Sequence, residues 1–568
     1  MNKPQYTKRL RVVSFGVVLL ALLIIGKLFL LQVVKGDSYR SRAERSYVQS
    51  VDTFERGSIF FSKRDGDRIS AATITSGFRV VMHTGQIEFP EEMYDRINAV
   101  VPIDRDEFLR KASKNNDPHE VIVDKITKEI GDKIETLDLP GVRLERQKWR
   151  FYPGGQMAAQ TLGFVAYKGD ERVGQYGLER TFDGNLARKE DELYVNFFAE
   201  VFSGLSATFK GEQREADVVT TIEPNVQAFL EQELDSLDNV WNSSASGGII
   251  IDPGTGEIFA MATTPSFDLN SFYDVENSSI FANPLVEHVF EFGSVIKPLV
   301  MAIGIEKGVV TADTEYYDAG TISVGIEKVS NFDKKGRGTV TMQEVLNQSL
   351  NTGMVFVQQK IGKKDFREYM KNYGLGEKSG VELPNEASGL VSNLDSNRDI
   401  EHATASFGQG IAFSPMVAAR AFSVLANGGE LIQPHLIKEV DYKDGGSDEF
   451  KPDNNPKRII TEEASEEVTR MLVNLVDTAL FHGRERLDRH SIAGKTGTAQ
   501  IAAPNGGYLE GQNLHTFFGY APAYDPRFLV LLYTRYPKGA RFASQTVAPA
   551  AMDTLKFLLQ YYEVPPDR

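Results

Sequence analysis

The chain is predicted to fold as α/β (α+β), one sheet covered by helices, preceded by a second domain and a single membrane helix. Three observations carry this. From about residue 216, helical runs alternate with apolar strands. The strands fall at the start and end of that region, with the helices between them. Ahead of it all, residues 12 to 34 form one apolar segment of membrane length.

The helical runs are 225–238, 294–307, 342–361, 415–427 and 463–481. The clearest strands are Gly247-Gly248-Ile249-Ile250-Ile251, Gly519-Tyr520-Ala521 and Phe528-Leu529-Val530-Leu531-Leu532-Tyr533. Apolar strands at both ends of a domain, with helices between, predict one sheet with helices on both faces. A chain of 568 residues also exceeds one small core, so two or more domains are expected. Residues 35 to about 215 mix strand-like alternation, as in Gly77-Phe78-Arg79-Val80-Val81-Met82, with charged helical stretches such as 116–136.

The segment from Val12 to Val34 would reach about 34 Å as a helix, enough to span a hydrocarbon core. Lys27 lies toward one end, where its stem can snorkel to the headgroups. Lys3, Lys8, Arg9 and Arg11 precede the span and Lys35, Arg40, Arg42 and Arg45 follow it, so charge alone leaves orientation tied. No small-x-small cleavage site follows, which predicts an uncleaved signal anchor.

Composition excludes several classes. A formal charge of −15 argues against nucleic acid as a partner. The absence of cysteine removes disulfides, thiol catalysis and thiolate metal sites. The eight histidines are dispersed without metal-ligand spacing, so no metal and no cofactor is expected. Gly494-Lys495-Thr496 is not a phosphate loop, because Arg489 stands where that motif needs glycine.

The chemistry lies in three short motifs: Ser294-Val295-Ile296-Lys297, Ser349-Leu350-Asn351 and Lys495-Thr496-Gly497-Thr498. Serine and lysine three apart share a helix face. A desolvated lysine can take the proton that a serine hydroxyl must lose to become a nucleophile. Ser349 offers a relay hydroxyl, Asn351 an amide and Lys495 a positive charge. Gly497 would let an extended substrate lie close to the strand. Each motif has a plainer reading alone. Ser294 could cap its helix, Lys297 could be a solvated lysine, and Ser349 and Asn351 could end a helix. Lys495 could sit on an edge strand. Ser-x-x-Lys alone would arise roughly twice by chance, but the ordered set is far rarer.

That ordered set resembles the class B penicillin-binding proteins, monofunctional peptidoglycan D,D-transpeptidases related in fold to the serine β-lactamases. Arg150-Phe151-Tyr152-Pro153-Gly154-Gly155 and Gly174-Gln175-Tyr176-Gly177-Leu178-Glu179 look like the family's pedestal motifs. Thr220 to Gln227, Asp252 to Glu257 and Phe407-Gly408-Gln409-Gly410 resemble segments of its catalytic domain. Two departures stand out. Phe60-Phe61-Ser62 replaces a region that usually carries an acid, which puts a pedestal contact in doubt, and Phe292 stands where proline is common.

The resemblance implies a cytoplasmic tail (1–11), a signal anchor (12–34), an elongated, mainly-β pedestal (35–215) and a transpeptidase domain (216–564). It places the catalytic domain outside the plasma or inner membrane on a single-pass anchor. It implies that Ser294 is acylated by a D-Ala-D-Ala stem peptide, with Lys297 as base, and that β-lactams trap the same serine. Ser349 would relay a proton, Asn351 hold a substrate amide, and Lys495, Thr496, Gly497 and Thr498 bind the terminal carboxylate. Backbone N–H groups of Ser294 and Thr498 would form the oxyanion hole. Implied partners are peptidoglycan stem peptides, a polytopic membrane glycosyltransferase and other wall-synthesis proteins. The run Ala543 to Pro549 and the tail Tyr562 to Pro566 look more like the septal, cell-division type than the elongation type. The rivals are an elongation enzyme, a β-lactamase, for which the motifs identify no water-activating base, a β-lactam sensor, for which eleven tail residues are too few to signal, and a catalytically silent divisome scaffold.

Overall fold

The computed structural model describes Lys27 and residues 54–188 and 214–568, apart from 116, 170, 452–455, 504 and 505. The span predicted over 12–34 and the tail before it lie outside the described residues. Among the described residues, no helix is long and apolar enough to cross a membrane.

The described chain opens with β1 (Ile59–Ser62) and the long β2 (Arg68–Met82), which pair antiparallel. Helices α1 (Pro90–Asn98) and α2 (Arg105–Ala112) follow, then β3 (Glu120–Ile126), α3 (Lys128–Glu135) and β4 (Val142–Phe151). Residues 74–149 form one compact unit. There the end of β2 pairs with β3, Val81 opposite Val121, and Met82, Met93, Ile97 and Phe108 form a small core. Asp104 and Thr127 cap α2 and α3 by accepting from the N–H groups of Glu107 and Ile130. This region was expected to be mainly β, with a helical stretch over 116–136. It is mixed, and the first part of that stretch is β3, because Val121, Ile122 and Val123 favour the pleated surface beside β2.

The second unit comprises residues 56–73 and 150–568. Within this unit, residues 56–73 and 150–188 group with the C-terminal region. Their side chains Ile59, Phe61, Tyr152, Phe164, Leu178 and Leu186 join the same apolar core as its sheet. A buried ion cluster ties the two motifs of this segment together. Glu179, fully buried, accepts from Arg56 Nε at 2.7 Å and Arg150 Nε at 2.6 Å, while Arg56 also meets Asp183 at 2.8 Å. Where the usual acid is missing, Ser62 donates instead to the Thr220 carbonyl at 2.7 Å. That carbonyl belongs to β5 (Ala216–Thr220), which pairs parallel to β1.

The remaining elements build the layered domain. They are α4 (Pro224–Trp241), β6 (Ala245–Ile251), β7 (Ile258–Thr264), α5 (Lys297–Glu306), α6 (Met342–Asn347), α7 (Asn351–Ile361), α8 (Pro415–Ala426), β8 (Ala493–Ala502), β9 (Tyr508–Ala521), β10 (Phe528–Arg535) and α9 (Val547–Tyr561). Five strands form an antiparallel sheet in the order β8-β9-β10-β6-β7. Leu230 of α4 packs against Gly248 and Leu532 on one face, and α9 joins it through stacked Phe229 and Phe557, 4.0 Å apart. On the opposite face, Phe422 of α8 stacks on Phe518 at 4.1 Å. Helices therefore cover both faces, as the strand–helix pattern predicts. The run read as one helix over 342–361 is broken into α6 and α7 around Ser349.

Replacing Glu179 with alanine would leave buried Arg150 without a carboxylate and Arg56 with Asp183 alone, so a loss of about 3–5 kcal/mol is expected. Denaturant unfolding checks this, and a change within 1 kcal/mol would show the cluster to be unimportant.

Candidate active site

The three motifs meet at the edge strand β8, on the face covered by α8. Gly293 to Ile296 form a 3₁₀ turn that leads into α5, so Ser294 sits just before the helix and Lys297 opens it. The N-cap of this turn is Phe292, not Ser294, and it has no side-chain cap. Glycines hold this turn in place. Gly293 has φ +63° and donates to the Gly408 carbonyl at 3.1 Å. A Cβ on Gly408 would stand 2.1 Å from the Gly293 oxygen. Phe292 anchors the turn from behind: it is fully buried, stacks on Phe413 at 5.2 Å, and its carbonyl accepts from Thr516 Oγ1 at 3.1 Å.

Gly497 earns its place differently from the sequence expectation. A Cβ there would fall 2.4 Å from Thr516 Oγ1 and 2.6 Å from the Phe292 carbonyl. It therefore lets the strand approach the serine turn on the core side, rather than a substrate on the open side.

Lys297 is fully buried. Its Nζ donates to the Ser349 carbonyl at 2.5 Å and Asn351 Oδ1 at 2.8 Å, and lies 3.1 Å from Ser349 Oγ. Lys495 Nζ reaches the same Ser349 Oγ at 3.2 Å and its neighbour Thr496 O at 3.0 Å. One hydroxyl thus sits between two amines. Burial pushes the Lys297 amine well below the usual lysine range, and the nearby Lys495 charge adds to the effect. Burial alone lowers Lys495 to about 7. Both amines donate toward that hydroxyl.

Ser349 reaches this point through a left-handed backbone, φ +55°, at the break between α6 and α7. The turn is locked from below. Thr352 Oγ1 donates to buried Asp318 at 2.8 Å, and Asp318 accepts twice from Asn331. Asn351 spends one Nδ2 hydrogen on the Ser330 carbonyl at 3.1 Å, leaving the other for a ligand.

Above these groups lies a cleft of about 310 Å³, lined by Ser294, Ser349, Asn351, Thr496 and Thr498. Thr498 Oγ1 accepts from the Ala543 N–H at 3.2 Å, so its own hydrogen is free to donate into the cleft. Of the eight residues singled out in the sequence, five line the cleft, the two lysines lie buried beneath it, and Gly497 faces the core. Sequence reasoning missed the roof. Phe332 and Phe542 meet edge to face at 5.7 Å, and both line the cleft with Phe407 and Gln409. No motif marks Phe332 or Phe542, although Phe407 and Gln409 lie in a segment the sequence had noticed.

This geometry is matched by two family patterns. Residues 247–556 match the penicillin binding protein transpeptidase domain, and residues 55–197 match the penicillin-binding protein dimerisation domain. The chain is a class B penicillin-binding protein. Among curated relatives, it is 28% identical to stage V sporulation protein D of Bacillus subtilis, over 98% of this chain and 86% of that protein. It is 26% identical to the peptidoglycan D,D-transpeptidase FtsI of Escherichia coli, over 97% of this chain and 92% of that protein. Its fold resembles that of penicillin binding protein 3 from Mycobacterium tuberculosis in complex with aztreonam, with a TM-score of 0.69, 23% identity, and 91% and 98% of the two chains covered.

Two expectations follow for this penicillin-binding protein. Below about pH 7, Lys495 is protonated in both folded and unfolded chains, and the cost of burying its charge is fully present. Between about pH 7 and the ordinary lysine value near 10.4, only the unfolded chain keeps the proton, so stability rises with pH. Lys495→Met should therefore melt above the parent near neutral pH, with the gap closing toward about pH 10. A gap that widens in thermal unfolding would contradict this. Separately, Gly497→Ala should slow penicillin acylation by about tenfold or more by forcing the serine turn off the strand. Acylation at the parent rate would show that the turn can yield.

Proposed function

We propose that this penicillin-binding protein cross-links peptidoglycan as a D,D-transpeptidase through an acyl-enzyme on Ser294. The observation that carries the reading is a serine on the wall of a cleft whose floor holds two buried, unpaired amines joined by one hydroxyl. Neutral Lys297 turns its lone pair to Ser294 Oγ and takes its proton. The oxygen attacks the penultimate D-alanine carbonyl of a stem peptide. The oxyanion is met by the N–H groups of Ser294 and Thr498, a donor pair worth about 3–4 kcal/mol per group where measured elsewhere. As the C–N bond breaks, the proton passes from Lys297 through Ser349 to the departing D-alanine amine. The amine of a second stem peptide then attacks the ester, gives up its proton along the same relay, and restores Ser294. Lys495 and the hydroxyls of Thr496 and Thr498 hold the terminal carboxylate, and Asn351 holds a substrate amide. β-Lactams acylate the same serine.

The apolar run 12–34 supports a single-pass anchor with the catalytic domain outside the plasma or inner membrane. The Ala543 to Pro549 run, together with relatives named FtsI, supports a role in septal division. A polytopic glycosyltransferase would supply the glycan strands.

Intact-protein mass of the full-length chain with penicillin tests the chemistry. One persistent adduct, absent from Ser294→Ala, is expected. Lys297→Ala should acylate far more slowly across about pH 6 to 9. An adduct on Ser294→Ala would place the nucleophile elsewhere, and rapid drug turnover without an adduct would favour a β-lactamase.

A further inference from the structure

The catalytic cleft does not end at Ser294. A second cavity, of about 470 Å³, continues it along β8: Gly293, Gln409 and Thr498 line the first, and Glu291, Gly410 and Gln500 line the second. Because the terminal carboxylate belongs at the Lys495 end of the strand, the donor peptide must leave the scissile bond in the opposite direction. It therefore runs toward Gln500. With an extended rise of about 3.3 Å per residue, the residue before D-Ala-D-Ala arrives at this second cavity.

Two opposite charges meet that residue. Glu291 is half-buried and accepts from the Tyr508 hydroxyl at 3.0 Å and from the Gly410 N–H. Arg535 of β10, level with Ala499, lines the same cavity. Its guanidinium has no carboxylate partner among the described residues: Nη2 makes one long contact with the Tyr536 hydroxyl at 3.4 Å, and Nε is buried without a hydrogen-bond partner. It lies 5.8 Å from the Phe290 ring and 5.2 Å from the Tyr536 ring, which fix its plane without neutralising it. A half-buried guanidinium left unpaired beside a cavity is an incomplete fork for a carboxylate. Leu390 and Ile501 line the same cavity and offer apolar surface to the methylene chain that carries both groups, and Asn393 is held in place by its bond to the Gly410 carbonyl at 2.7 Å.

We propose that this cavity is the donor subsite for a diamino dicarboxylic acid side chain, with Arg535 holding its carboxylate and Glu291 its amine. The proposal rests on the transpeptidase reading above and names the stem peptide that the enzyme prefers. A side chain ending in an amine alone would satisfy Glu291 but leave Arg535 unpaired. One whose carboxylate is amidated would lose the charge-assisted fork.

Two stem pentapeptides ending in D-Ala-D-Ala test this, one with meso-2,6-diaminopimelate and one with L-lysine at the third position. D-Alanine release by the full-length chain should favour the first by about tenfold or more in kcat/KM. Arg535→Met should bring the two rates together, and Arg535→Lys should restore part of the preference. Penicilloyl-adduct formation on each variant reports a folded site, because penicillin carries no such side chain. Equal rates for the two peptides with the parent enzyme would overturn the proposal, as would a preference that survives Arg535→Met. So would a chain that takes a penicillin adduct on Ser294 yet releases D-alanine from neither peptide. A chain that takes no adduct and releases no D-alanine would sink the transpeptidase reading itself.

Discussion

Two buried amines within hydrogen-bonding distance of one hydroxyl are the constraint on which the rest of the site depends. Among the described residues, neither Lys297 nor Lys495 has a carboxylate partner, and both lie almost wholly out of water. Burial disfavours both charges there and each repels the other, so the Lys297 amine is pushed well below the usual lysine range. In the reading proposed above this makes Lys297 the base, with no histidine needed. The arrangement is built from three separate elements: α5 brings Lys297, the α6–α7 break brings Ser349, and β8 brings Lys495.

Bringing three elements so close requires places where side chains are missing. Gly293, Gly408 and Gly497 are those places, and at each an added Cβ would meet backbone or a fixed side chain. The left-handed Ser349 is the complementary device. An unbroken helix through 342–361 would carry its hydroxyl around the helix axis and away from the lysines. Asp318, Asn331 and Thr352 supply the buried hydrogen bonds that hold the break open, and such a network is strong only while every member is satisfied. Strain and close packing at this site are supported by the rigid five-stranded sheet behind it.

Much of this was legible in the sequence, and the parts that were not share a cause. Strand runs such as Phe528 to Tyr533 and helical runs such as 415–427 announce themselves by periodicity, which is local. The lysine, serine and threonine positions announce themselves by an unusual combination of motifs. The break at Ser349 does not, because Leu346, Leu350 and Met354 keep a helical spacing across it, and only the distant Asp318 and Asn331 decide against the helix. The packing constraint on Gly497 was not legible either, since the Phe292 carbonyl it meets is some two hundred positions away. The ion cluster at Glu179 was not legible either, because its partners Arg56 and Arg150 come from opposite sides of the intervening unit. Phe332 and Phe542 sit in loops where single aromatic residues carry no pattern at all.

Charge gives the cleft its direction. The protein as a whole is acidic, with a formal charge of −15, yet two cationic side chains lie along the cleft: Lys495 near the start of β8, and Arg535 of β10, level with Ala499. A cationic trough in an acidic surface focuses anionic ligands and holds off cationic ones, most effectively at low ionic strength. Glu291 adds one negative charge in the second cavity, so the trough is not uniformly attractive. An extended ligand with a carboxylate at its terminus, and an amine and a second carboxylate farther back, matches these charges in one direction only. Reversing the peptide would set its amine against Lys495. The charges that favour one side chain therefore also favour the end of the stem peptide that reaches Ser294.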